Sequence, residues 1–118
     1  MRCVGPTFSE RSLEGLREDY AFTPGLDELA AGLALYGSPT RLKIFALLDA
    51  TEQMCVCDLA AVLGLSVSAV SQHLAKLRAS RLVQYRREAQ TLYYSLSDHP
   101  LNVLLREAVE GARARVGE

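Results

Sequence analysis

At 118 residues, the chain has room for one domain with a modest core, which a partner subunit would help to close. Hydrophobic residues make up 49% and charged residues 23%, which excludes wholesale disorder, and no apolar run approaches the roughly 18 residues a membrane span needs. The net charge of −1 conceals an asymmetry: between Ser66 and Tyr94, Lys76, Arg78, Arg81, Arg86 and Arg87 stand against Glu88 alone, a local balance of +4 that leaves −5 for the rest.

Residues 1–24 are read as an N-terminal arm that carries Cys3 and is broken by Pro6 and Pro24. Leu13, Leu16 and Tyr20 hint at a short amphipathic helix within it. The segment around Arg2, Gly5, Pro6 and Ser9 lacks the apolar stretch of a secretory leader, so the expected location is cytoplasmic. In a reducing compartment, three cysteines point to metal ligands or redox thiols rather than a disulfide framework.

Residues 25–118 are read as the folded domain. A helix is predicted from about Leu26 to Tyr36, with Gly37 as its stop. Ser38-Pro39 reads as cap and first residue of the next helix, whose Leu42, Ile44, Phe45, Leu47 and Leu48 should be largely buried. After a polar break at 49–53, a short helix is predicted over Cys55 to Leu63, ended by Gly64 in the left-handed conformation. Ser66 caps a further helix with Val67, Val70, Leu74 and Leu77 on one apolar stripe. Ala60, Gly64 and Val70 fall at helix-turn-helix spacing: a small residue at the contact, a turn glycine and an apolar anchor.

Leu82–Arg87 and Thr91–Leu96 read as two strands joined by Glu88-Ala89-Gln90, a hairpin with an aromatic base and a polar tip. Asp98 or His99 caps a last helix whose stripe of Leu101, Leu104, Leu105, Ala108, Val109 and Ala112 is wide enough to bury against the body or a second subunit. The predicted fold is therefore mainly α with a β-hairpin wing, a winged helix-turn-helix whose C-terminal helix packs on the body or serves as a dimerisation helix. On the second helix of the motif, Ser68, Ser71, Gln72 and Lys76 turn away from the stripe, offering short or amide-bearing groups for base edges and a cation for phosphates. His73 sits beside the stripe in a packing or phosphate role, and Arg86, Arg87 and Gln90 on the wing approach phosphates or the minor groove.

Met54-Cys55-Val56-Cys57-Asp58-Leu59-Ala60 places two thiols and a carboxylate at the entry of the first helix of this motif. Two residues apart within a helix, the thiols would diverge by about 200°. At a helix entry, where the first residue is still extended, both sulfurs can converge on one ion, and Asp58 lies three residues on to add an oxygen. The positive end of the helix dipole also suits anionic donors. A buried role for the cysteines and a simple dipole role for Asp58 are the plainer alternatives.

Ser38-Pro39-Thr40-Arg41-Leu42, the Cys-Val-Cys-Asp segment, Ser68-Ala69-Val70-Ser71-Gln72-His73-Leu74, Arg81-Leu82-Val83 and Tyr93-Tyr94-Ser95-Leu96 together resemble the ArsR/SmtB family of metal-sensing repressors over about residues 26–112. The resemblance implies a cytoplasmic homodimer that binds an operator inverted repeat when metal-free and is released by metal. It also implies that N-terminal cysteines can join the helix-entry thiols, from the same or the other subunit. The expected site is Cys3, Cys55 and Cys57, with Asp58 or water completing it, and thiolate-rich ligation selects Cd, Zn, Pb, Cu(I) or As(III).

This chain departs from the family pattern in two places. The wing tip lacks the glycine members often carry. Where one branch binds zinc between C-terminal helices, this chain has Asp98, Pro100, Gly111 and Ala114, so only the aspartate matches. A shifted pair of His99 and Glu110 is the remaining candidate there. The alternative regulatory reading is a thiol redox-sensing DNA-binding repressor using Cys55 and Cys57. An oxidoreductase has no Cys-x-x-Cys or thioredoxin-like alternation to support it.

Overall fold

Three serines set where helices begin. In the computed structural model, which describes residues 8–116, the side chains of Ser9, Ser38 and Ser66 accept hydrogen bonds from the backbone N–H of Ser12, Arg41 and Ala69 at 3.2, 3.3 and 3.1 Å. Each satisfies a donor that the first helical turn leaves free, a contribution of about 1 kcal/mol. The helices they start are α1 (Glu10–Leu16), α3 (Pro39–Thr51) and α5 (Val67–Ala79). Between them lie a π-helical turn (Arg17–Ala21), α2 (Pro24–Tyr36), β1 (Met54–Cys55) and α4 (Val56–Leu63). Strands β2 (Val83–Glu88) and β3 (Thr91–Leu96) and helix α6 (Pro100–Val116) complete the order. No single described helix is long and apolar enough to cross a membrane.

The chain clusters into two units, one up to Ala30 and one from Ala31 onward, so the division falls inside α2. The first holds α1 and the π-helical turn, which together replace the single short helix expected there. The second holds the core. Ile44, Phe45 and Leu48 of α3, Leu59 and Ala60 of α4, and Val70, Leu74 and Leu77 of α5 are buried together with Tyr36, Leu82, Val83, Tyr94 and Leu101. Leu42 and Leu47 are only half-buried, packed against this cluster. Val67, expected on the α5 stripe, is 48% exposed at the first position of the helix.

The α4–α5 pair turns through 113°, the geometry of a helix-turn-helix. Gly64 makes the turn possible: it sits at φ 68°, and Leu65 N–H returns to Ala60 C=O at 3.0 Å. At the other end of α5, Arg81 takes the same left-handed conformation at φ 59° without a glycine's freedom. There Leu82 N–H reaches Leu77 C=O and Arg81 N–H reaches Arg78 C=O, while the side chains of Leu77 and Leu82 are both fully buried.

Three sequence expectations are corrected. The expected β2–β3 hairpin gains a third antiparallel strand, in the order β1-β3-β2, with Met54 opposite Tyr94 and Cys55 opposite Tyr93. A two-residue strand shows no alternation, so only its partner reveals it. Cys55 consequently caps α4 in extended geometry instead of belonging to the helix. In the wing, β2 starts at Val83 and includes Glu88, which pairs with Thr91, leaving a two-residue turn of Ala89 and Gln90 with Ala89 at φ 56°.

Helix α6 closes against α2 and the wing base through a polar node inside the apolar core. Buried Asn102 accepts from Tyr36 Oη at 2.7 Å and donates to Leu82 C=O at 2.8 Å and Ser97 C=O at 3.1 Å. Burial pushes the Tyr36 phenol well above its ordinary pKa, so it remains a donor. Gly32 permits the approach, since a Cβ there would stand 2.8 Å from Leu101 Cδ2. Asn102→Ala should destabilise the fold by about 1–3 kcal/mol, because Tyr36 Oη loses its partner in a site closed to water, while Leu82 C=O keeps Ser97 N–H. Urea denaturation measures this. A change within about 0.5 kcal/mol, the range of an ordinary surface substitution, would contradict the role of the node.

Candidate nucleic-acid interface and thiol site

Burial of Val70, Leu74 and Leu77 fixes which face of α5 is left outward. Ser68, Ser71, Gln72 and Lys76 are all exposed on it. His73 lies at the edge of that face, half-buried, and its Nδ1 is 3.1 Å from Arg41 Nη1 on α3. Arg41 also donates through Nε to Leu35 C=O at 2.7 Å. Burial, together with the charges of Arg41 and Lys76, holds the His73 imidazole below its ordinary pKa.

The wing presents its two cations on opposite faces. Arg86 lies across the sheet surface and stays exposed: its guanidinium is 4.9 Å over the Tyr93 ring, Nη1 bridges Glu88 at 2.7 Å, and Nε donates to Gln53 at 3.2 Å. Strand alternation puts Arg87 on the opposite face, exposed, with no hydrogen-bond or ion-pair partner among the described residues, and Gln90 is exposed in the turn. Arg78, on the last turn of α5, stacks 4.2 Å over Tyr85, which in turn packs on buried Tyr94 with ring centroids 5.5 Å apart. Arg41 and Arg78 were not among the sequence candidates. The basic segment already contained Arg78, but nothing local to Arg41 signals that α3 delivers it to α5.

The thiols lie at the other end of the motif. Cys55 is half-buried, at φ −81° and ψ 162°, the last residue of β1 and the cap of α4. Cys57 and Asp58 follow in the first helical turn, both exposed. Both cysteines are free. The extended backbone at Cys55 is the geometry that lets thiols two residues apart approach one ion. Cys3 lies outside the described residues, and among those described no three His, Cys, Asp or Glu side chains are grouped as a metal site. The helix-entry pair therefore supplies soft donors but not a full coordination shell.

His99 and Glu110 are not brought together within one chain. His99 Nδ1 accepts from Leu101 N–H at 3.0 Å at the start of α6, and Glu110 lies three turns along, roughly 16 Å by helical rise.

A helix pair turned through 113° with a polar outer face, followed by a wing and a return helix, defines a winged helix-turn-helix, a DNA-binding architecture. Residues 38–85 match the family described as bacterial regulatory protein, arsR family. The transcriptional repressor SmtB homolog of a Synechocystis species is 40% identical over 101 residues, covering 83% of this chain and 76% of that protein. The cadmium resistance transcriptional regulatory protein CadC homolog of Staphylococcus aureus is 36% identical over 69 residues, 58% of this chain and 57% of the relative. Among solved structures, NolR from Sinorhizobium fredii superposes with a TM-score of 0.62 at 38% identity, covering 90% of this chain and 95% of its own. The chain belongs to the ArsR/SmtB family, whose members are DNA-binding transcriptional regulators and not enzymes.

Exposure ranks the two helix-entry thiols. In a Cys3→Ser background, a limiting maleimide should label Cys57 before Cys55, as read by peptide mass mapping. Faster labelling of Cys55 would contradict the strand–helix junction described above.

Proposed function

We propose that this chain is a cytoplasmic, homodimeric repressor of the Cys-Val-Cys-Asp type, which holds an operator inverted repeat when metal-free and releases it on uptake of a thiophilic metal. Cys55 and Cys57 are the central donors, joined by Cys3 and by Asp58 or water. Cd(II), Zn(II), Pb(II), Cu(I) and As(III) fit such a set. When bound, the metal supplies a soft cross-link among thiolates. The observation that carries this reading is the position of Cys55, which ends a strand of the wing sheet and caps the first helix of the DNA-reading motif. The cadmium-resistance name of one relative supports the choice of effector.

The chain's own residues then account for reading and release. Ser68, Ser71 and Gln72 meet base edges, while Lys76 and Arg87 meet phosphates. Leu59 and Ala60, buried one turn after the thiols, pass any shift of the α4 entry to α5, and the Cys55–Tyr93 pairing passes it to the wing. Val103 and Leu104 of α6 are not covered within their unit, at 59% and 68% exposure, and give a second copy an apolar face.

The test is fluorescence anisotropy of the reduced chain on a duplex from its own upstream DNA. Binding should fall steeply with salt, and Cd(II) should weaken it about 5- to 150-fold, in step with thiolate-to-metal absorption. Cys55→Ser should abolish the Cd(II) effect while leaving metal-free binding intact. Release by peroxide with no response to any thiophilic metal would replace this reading with the redox switch.

A further inference from the structure

The contact of Arg41 on α3 with His73 on α5 is independent of the thiols. Arg41 leaves the first turn of α3 and makes two hydrogen bonds: Nε to Leu35 C=O at the carboxyl end of α2, and Nη1 to His73 Nδ1 on α5. A guanidinium only donates, so Nδ1 must accept, which places the imidazole proton on Nε2. No buried side-chain nitrogen or oxygen among the described residues lacks a partner, yet Nε2 has no hydrogen-bond partner among them. Nε2–H therefore reaches solvent, on a helix whose neighbouring residues 71, 72 and 76 form the exposed polar face.

We propose that Arg41 is a positioning residue for DNA recognition: it ties the end of α2 to α5 and fixes His73 in the tautomer that offers Nε2–H to a DNA phosphate. Arg41 acts through His73, not on DNA. With Nδ1 occupied as an acceptor from Arg41, the ring serves as a neutral donor, and burial, with the charges of Arg41 from α3 and Lys76 from its own helix, disfavours its protonation. A neutral donor adds affinity without releasing a counterion. The proposal rests on the DNA-binding reading above.

The experiment combines the tautomer of His73, from long-range nitrogen–proton NMR of the full chain, with anisotropy on the upstream duplex across a salt series. The wild type should show protonated Nε2 and bare Nδ1. Arg41→Met should release that preference and weaken DNA binding about tenfold without changing the slope of log affinity against log salt. Arg41→Lys, able to satisfy one of the two acceptors, should recover part of the loss. His73→Asn keeps an acceptor near the Nδ1 position but has no Nε2–H, so it should lose a similar factor, and combining it with Arg41→Met should add little.

Three results would overturn the proposal. They are a wild-type ring protonated on Nδ1, unchanged affinity in Arg41→Met, and a salt slope reduced by about one in that variant, which would make Arg41 itself a phosphate contact. Should Arg41→Met fail to fold, the wild-type tautomer and His73→Asn decide alone. A wild type that binds no duplex at low salt would instead bring down the repressor reading, and this inference with it, whatever the tautomer.

Discussion

The strand-to-helix junction at Cys55 is the constraint on which the functional geometry depends. β1 ends and α4 begins with no residue between them, so one backbone position is bound on one side to β3 and on the other to the helix-turn-helix. Met54 and Cys55 lie opposite Tyr94 and Tyr93, and Tyr94 is itself buried in the core. A change in the side chains at this point has no slack loop in which to dissipate. The helix it starts is only eight residues long, with Leu59 and Ala60 already buried. Close-packed elements of this kind shift as bodies rather than deform.

The far side of the motif is held by polar contacts that are few and specific. Asn102 joins α6 to Tyr36, to Leu82 just before β2 and to Ser97 at the end of the wing. Arg41 joins the end of α2 to α5. Tyr36 and Leu35, consecutive at the end of α2, thus carry both links, so the orientation of α2 and α6 bears directly on the orientation of α5. With α6 as the proposed dimer contact, these bonds and the apolar core together set the spacing of two α5 helices.

Much of the fold was legible because it is signalled locally. Ser38-Pro39, Ser66 and Gly64 mark helix ends through their own side chains or lack of one, and the α5 stripe of Val70, Leu74 and Leu77 follows from helical spacing alone. What was missed is non-local. β1 exists only because Tyr93 and Tyr94 lie beside it. Arg81 and Ala89 occupy left-handed positions where glycine would have announced a turn. The outward face of α5 was readable, whereas the capture of Arg86 by Tyr93, Glu88 and Gln53, and of His73 by Arg41, depends on contacts across the sheet and between helices. Cys55 and Cys57 were visible as a pair, and the extended cap geometry gives that pair its physical sense.

Under the proposed function, the thiol junction and the outward face of α5 are two ends of one equilibrium. Linkage then requires each ligand to weaken the other by the same factor. The direct measurement is the Cd(II) affinity of the reduced chain, free and saturated with its upstream duplex, by competition with a chromophoric chelator. The account predicts weaker Cd(II) binding on DNA, by the factor with which Cd(II) weakens the duplex. Equal Cd(II) affinity with and without DNA would contradict it, leaving Cys55 and Cys57 uncoupled from the face that reads DNA.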